Sequence, residues 1–304
     1  MNRDSVTVCI LSWNRPREVG EAVTSVYKYL DQKVVAAVLV LDNGSSPKYD
    51  IAQLKAEGQT LRLIRNTSNL GASEGRNLLL SQVSTPYALF MDDDCALTSS
   101  GDLDKLIWCF RSNPSLAVIT ADIWQNKGSK IRLRTPSKWL KKASGSTTLT
   151  TCFGFIGGCF LADVSKLNQV NGFPRDGFYG CEELAVSHRL FSKGYEFARS
   201  SHLQVKHLPS ALGRLSQKTY GSSHLGLRLA VGIVYFRGVA RISHIAFAIT
   251  LFVLRNLGSN PIVLGREVRV QLRRCVRVER GYASNPIRVR DFGKIRLLGW
   301  RAWL

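Results

Sequence analysis

The chain has 304 residues, enough for one large α/β domain with an appendage or for two small domains. Its 45% hydrophobic content excludes general disorder, and 42 basic against 22 acidic side chains give a formal net charge of +20. That charge is uneven: residues 205–304 hold 18 Lys and Arg against 3 Asp and Glu, a net of +15, so an anionic partner is expected along the C-terminal third.

The chain opens on Val6–Leu11, an apolar run that reads as a buried strand. The run is too short for the core of a signal peptide, so the protein is expected to stay on the cytoplasmic side. Asn14 and Pro16 then open a helix with Val19, Ala22, Val23, Val26 and Leu30 at helical spacing. Val34–Leu41 and Leu61–Ile64 read as strands, Glu74–Val83 as a helix and Tyr87–Met91 as a strand. Leu103–Phe110 reads as a helix and Ala117–Ala121 as a strand. Strands alternating with helices predict βαβ units and a parallel sheet. The polar clusters at 12–15, 42–46 and 92–94 all follow strands, which is where such sheets bind ligands.

Residues 123–150 break the pattern and read as a mobile basic loop, with Lys127, Lys130, Arg132, Arg134, Lys138, Lys141 and Lys142. Order resumes over 151–207, with a Gly157-Gly158 pair, a helix near Glu182–Ser192 and a strand near Glu196–Arg199. Leu225–Leu257 is apolar but carries Arg228, Arg237 and Arg241, and its longest charge-free stretch, Ile242–Leu254, has 13 residues. A spanning helix needs roughly 20. One or two helices, packed on the preceding domain or lying in a membrane interface, are expected instead. Residues 266–304 are strongly basic. The seven cysteines are odd in number and lack C-x-x-C spacing, so they read as buried reduced thiols rather than a disulfide framework or a zinc site.

Asp92-Asp93-Asp94 is the strongest chemical feature. Three carboxylates after an apolar strand repel one another and call for a cation or a very wet site. In extended backbone Asp92 and Asp94 point the same way, a suitable handle for Mg2+ or Mn2+ whose other positions go to water and phosphate oxygens. There is no G-x-S-x-G, no G-x-x-x-x-G-K-[ST] and no dinucleotide fingerprint.

The motifs in chain order resemble the inverting family 2 glycosyltransferases over roughly residues 5–210. Ser12-Trp13-Asn14-Arg15 after the first strand, Val40–Ser46, Asn69–Asn77, Leu89–Asp94, Gly172-Phe173, Glu182-Glu183 with Arg189, Gly194-Tyr195 and His207 carry the resemblance. It implies the GT-A fold, with a mostly parallel sheet and a basic helical extension over 211–304; the donor half ends near 121 and the acceptor half fills 122–210. It implies a donor site of Ser12, Trp13, Asn14, Arg15, Asp42, Asn43, Gly71, Arg76, Asn77 and Asp93, with Arg76 on phosphate. The metal ligands would be Asp92, Asp94 and His207, for Mn2+ or Mg2+. Glu183, or Glu182 beside it, would be the catalytic base, where relatives usually have Glu-Asp; Ala185 stands where many have a second Asp.

The function so implied is transfer of a sugar from a nucleotide-diphosphate donor to a hydroxyl acceptor with inversion, in the synthesis of cell-surface polysaccharide or glycolipid. The basic segments point to an anionic or lipid-linked acceptor and to peripheral binding on the cytoplasmic face of the cell membrane. A nucleotidyltransferase, a nucleic-acid-binding protein and a non-catalytic relative are the competing readings.

Overall fold

The computed structural model describes residues 4–50, 54, 61–125, 130–131, 149–175, 182–208, 221, 225–226, 228–233, 236–258 and 260–278. Its elements are β1 (Val6–Ser12), α1 (Pro16–Tyr29), β2 (Val35–Asn43), β3 (Leu61–Asn66), α2 (Gly71–Ser81), β4 (Tyr87–Asp92), β5 (Cys95–Leu97) and α3 (Leu103–Ser112). There follow β6 (Leu116–Gln125), β7 (Lys130–Ile131), β8 (Leu149–Cys152), β9 (Cys159–Asp163), α4 (Val164–Gln169), α5 (Glu182–Ser192) and β10 (Glu196–His207). Two long helices, α6 (Gly238–Arg255) and α7 (Pro261–Val278), come after the sheet.

The strands form one sheet in the order β3-β2-β1-β4-β9-β6-β10-β5, with β7 on β6 and β8 on β10. The run β3-β2-β1-β4 is parallel, and so is the β6–β10 pair. Between them β9 runs antiparallel to both β4 and β6. The sheet is therefore mixed, parallel where the alternation of strands and helices is regular. The five residues of β9 between a glycine pair and a short helix carry too little periodicity to be read as a strand from sequence.

β1 alternates its side chains between two cores. Val6, Val8 and Ile10 pack with Val19, Val23 and Val26 of α1 and with Leu106 and Phe110 of α3. Cys9 faces the opposite core, which holds Leu79 and Leu80 of α2, Phe173, and Val186 and Leu190 of α5. Helices on both faces explain why the central strands are apolar throughout. α1 starts as its sequence dictates, with a proline in the first turn and buried Val19, Ala22, Val23 and Val26 on one face.

Register then sets up the site. Ser12 pairs with Asp42, and Leu11 pairs with Asp92, so the ends of β1, β2 and β4 lie side by side. The three polar clusters share one edge of the sheet. β5 turns back directly after the acidic triplet and pairs with β10, Cys95 opposite His207.

Most of the basic loop expected over 127–142 lies outside the described residues; Lys130 and Ile131 form β7. The five described cysteines named as free, Cys9, Cys95, Cys109, Cys152 and Cys159, are all buried.

Candidate functional site

β4 delivers the acidic triplet to the sheet edge, where the Asp92 backbone N–H donates to the Gly158 carbonyl at 3.0 Å. Two arginines, one just before α1 and one in the middle of α2, meet the three carboxylates. Arg15 Nη1, just before α1, lies 2.8 Å from Asp93 Oδ1 and 3.1 Å from Asp94 Oδ2. Arg76 Nη2, from α2, lies 2.8 Å from Asp92 Oδ1.

Asp93 is buried and belongs to a relay. The Arg15 backbone N–H donates to the Tyr49 hydroxyl at 2.7 Å. Ser12 donates to Asp93 Oδ2 at 2.7 Å, which leaves the Tyr49 hydroxyl, 2.8 Å away, to donate to Ser12 Oγ. Burial pushes the Asp93 carboxyl up to about 6, against the pull of Arg15 and the Ser12 hydrogen bond. Asp94 instead offers Oδ1 to His207 Nε2 at 3.3 Å.

The second half of the site comes from α5. Arg76 is buried and its Nη1 lies 2.6 Å from Glu182 Oε1, so one guanidinium joins Asp92 on the acidic turn to Glu182 on the first turn of α5. Its Nη2 also reaches the Gly157 carbonyl at 3.3 Å. The Gly157 N–H donates to Glu183 Oε1 at 3.1 Å. Burial and the neighbouring Glu182 carboxylate push the Glu183 carboxyl well above the usual range, with Arg76 opposing. Asp92, Asp93, Asp94, Glu182 and Glu183 thus share two guanidiniums, an arrangement that favours a further cation.

The sequence-derived residues sort into distinct places. Ser12, Arg15, Asp93, Asp94 and His207 converge on one side, and Arg76, Asp92, Glu182 and Glu183 on the other. Arg76, expected on phosphate, has its guanidinium taken up by Asp92, Glu182 and Gly157. Asp42 is buried and accepts the backbone N–H groups of Ser45 (2.9 Å) and Tyr49 (3.1 Å), which folds the segment after β2. Asn43 binds Asn69, Leu70 N and the Gly71 carbonyl, where Gly71 has φ 80°. Asn14, at φ 57°, clips the same segment through Ser45 and Ser46, and half-buried Trp13 lies beside it. Asn77 lies apart from the carboxylates and grips both backbone groups of Phe173.

Two contributors carried no assigned role in the sequence reading. Tyr49 gives its hydroxyl to the relay, and nothing in its own neighbourhood marks it. Gly157 does have a signal, the Gly157-Gly158 pair. A Cβ on Gly157 would stand 2.1 Å from Glu183 Oε1 and 2.9 Å from Arg76 Nη2, so only glycine lets the two groups close over it.

A divalent metal fits these residues in a limited way. Cis ligands of an octahedral ion with bonds of about 2.1 Å stand about 3 Å apart, close to the Asp94–His207 spacing. Asp92 turns to Arg76 instead, and among the described residues no three His, Cys, Asp or Glu side chains are arranged to hold a metal ion together. The fit is a two-residue site completed by phosphate and water.

The chain is similar to known proteins in sequence profile and in fold. Residues 7–170, just over half of the chain, match the sequence profile of glycosyl transferase family 2. Among curated proteins, none matches the chain significantly. Among solved structures, GalNAc-T7 with UDP, GalNAc and Mn2+ is similar at a TM-score of 0.63 and 15% identity, over 95% of this chain and 60% of that one. The mannosyltransferase PcManGT from Pyrobaculum calidifontis, in complex with GDP-Man and Mn2+, gives 0.58 and 15% over 100% and 83% of the two chains. S. aureus TarS 1-349 in complex with UDP-GlcNAc gives 0.61 and 13% over 90% and 81%. The chain therefore spans three fifths of the length of the first of these structures. At such identities the likeness establishes the fold, which is the GT-A fold.

Proposed function

The chain belongs to glycosyl transferase family 2, and we propose that it moves a sugar from a nucleotide-diphosphate donor to an acceptor hydroxyl in one inverting displacement. The observation that carries this reading is the Arg76 bridge, which sets the acidic turn at the end of β4 against the first turn of α5. Donor phosphates need a cation beside them and an acceptor hydroxyl needs a base, and the bridge sets an acidic turn suited to the first next to a carboxylate suited to the second.

Glu183 acts as the base. Glu182 is buried on Arg76, while Glu183, oriented by the Gly157 N–H, is half-buried and open to a substrate. As the acceptor oxygen bonds to the anomeric carbon, the bond from that carbon to the diphosphate oxygen breaks, and the acceptor's proton passes to Glu183. Attack on the face opposite the leaving group inverts the configuration. Arg15 holds Asp93 and Asp94 in place, and Ser12, Asn14, Asp42 and Asn43 shape the loops that receive the nucleotide. Asp94 and His207 would hold Mn2+ or Mg2+, with Asp92 nearby on Arg76. When bound, such an ion neutralises the charge that develops on the departing diphosphate.

The test is a titration of the purified chain with uridine, guanosine, thymidine and cytidine diphosphates, with and without Mn2+. Metal-dependent binding of one of them, weakened at least tenfold by Asp94→Asn, is expected. A well-folded chain that binds none, or an Asp94→Asn variant with unchanged metal-dependent turnover, contradicts the proposal. The acceptor class implied by the basic C-terminal third is a lipid-linked or otherwise anionic glycan of cell-surface polysaccharide or glycolipid synthesis.

A further inference from the structure

α6 has a buried and an open side. His244, Ala248 and Phe252 point inward at four-residue spacing, and His244 Nε2 meets the Arg228 carbonyl at 3.1 Å. Ala248 and Phe252 join a small core with Leu225, Leu229 and Ala230, against which Leu264, Val268 and Leu272 of α7 pack. On the open side Val239, Ile242, Ala246, Thr250, Val253 and Leu257 follow one another at steps of three and four residues. Val239, Ile242 and Leu257 are 79%, 69% and 74% exposed. This uncharged stripe extends for about 27 Å along an 18-residue helix. Such a stripe is unusual on a surface in contact only with water.

α7 complements it. Ile262 is 81% exposed at its start, and Arg266, Arg269 and Arg273 follow on the exposed side at steps of four, three and four residues. Glu267 is the one acid in α7, and it bonds Gln271 within the helix. α6 meets the length and composition of a membrane-crossing helix. Its inner side, however, is already committed to protein, and Arg237 and Arg241 stand at its start. A helix so placed lies along a membrane interface rather than through it.

We propose that α6 and α7 form a membrane-docking surface, in which the α6 stripe enters the acyl boundary of an anionic bilayer and the α7 arginines meet its phosphates. Charge selects this occupant over a second copy of the chain. Arg237, Arg241, Arg255, Arg266, Arg269 and Arg273 stand against Glu267 alone on these described helices, so pairing two copies through this side would bring like charges together, whereas an anionic bilayer neutralises them. Docking is independent of the transfer chemistry proposed above.

The experiment is co-sedimentation of the full chain with vesicles of phosphatidylcholine alone or mixed in equal parts with phosphatidylglycerol. Binding to the mixed vesicles is expected, with little to phosphatidylcholine alone. The double variant Ile242→Asp, Val253→Asp should bind the mixed vesicles at least about tenfold more weakly. Arg266→Gln with Arg269→Gln should weaken binding and flatten its salt dependence. Because the altered side chains face outward, circular dichroism and nucleotide titration should be unchanged, which separates a failed docking surface from a failed donor site. Wild-type chain that stays in solution with the mixed vesicles at low salt overturns the proposal. So does a double variant that sediments like wild type, or a dimer in sedimentation velocity that the double variant abolishes.

Discussion

Gly157 is where the proposed donor and acceptor sides touch through a single residue. Its N–H orients Glu183 and its carbonyl accepts from Arg76, and the space for a Cβ is taken by both. Gly157→Ala should therefore lower kcat by about 10²–10³, within the range for misplacing a general base, and leave the nucleotide diphosphate Kd within about twofold. Steady-state kinetics beside calorimetric titration reads both; a variant with normal kcat contradicts the assignment of Glu183. The raised Glu183 carboxyl gives a second expectation. A base acts when deprotonated, so kcat/KM for the acceptor should climb with pH through the raised value, whereas an ordinary glutamate would have finished titrating by about pH 5. A rate profile at saturating donor, still rising above neutral pH, meets this expectation; a profile flat from pH 5 upward does not. Sequence exposes such residues unequally. Asp92-Asp93-Asp94 stands out because charge follows an apolar strand abruptly. Tyr49 and the importance of Gly157 become visible only when other elements bring Ser12, Glu183 and Arg76 against them.

Among the elements, α2 does more for the acceptor side than its motif suggests. Arg76 and Asn77 are neighbours on it, yet they serve different partners: Arg76 joins α5 to β4, while Asn77 clamps the turn at Gly172-Phe173. Gly172 has φ 62° and a Cβ there would meet Asn77 Oδ1 at 2.5 Å. Arg189 of α5 secures the same turn by donating to the Val170 carbonyl at 2.8 Å. Asn77→Ala should cost about 1–3 kcal/mol, the range for leaving buried backbone groups unmatched. Urea unfolding measures it, and a loss under about 0.5 kcal/mol, ordinary for a surface change, would remove the clamp. The regular βαβ half was readable because strand and helix periods alternate cleanly. α2 begins at Gly71, three residues earlier than its apolar pattern predicts, since glycines and serine in its first turn carry no period. β10 runs to His207 because its second half pairs with β5 and β6, partners that local sequence does not reveal.

At the scale of the molecule, the C-terminal helices are fastened to α5 through aromatic packing. Phe236 meets His188 of α5 edge-on at 5.5 Å and His244 of α6 at 4.7 Å, with Phe153 on the far side of His188. Burial, with a smaller push from His244, drives His188 down to about 3. Unfolded, it would bind a proton near pH 6.5. Its contribution is therefore complete above that pH and lost as pH falls, by about 1.4 kcal/mol per unit. His188→Phe keeps the ring and should reduce the stability lost between pH 6.5 and 5.5 by about 1 kcal/mol in urea unfolding. Equal losses in both proteins would show that the pair does not couple folding to pH.

The placement of β9 has a consequence for how such chains diverge. Cys159 pairs with Met91 and Gly158 receives the Asp92 N–H, while the other edge of β9 binds β6, so the seam between the parallel run β3-β2-β1-β4 and the β6–β10 pair is continuous backbone. Recombination between relatives that cut the chain near residue 121 would join a β4 and a β9 with separate histories, and the mismatch would fall beside the acidic turn. A crossover after residue 208 leaves the seam whole, and the match it must keep among these contacts is that of Phe236 with His188 and Phe153.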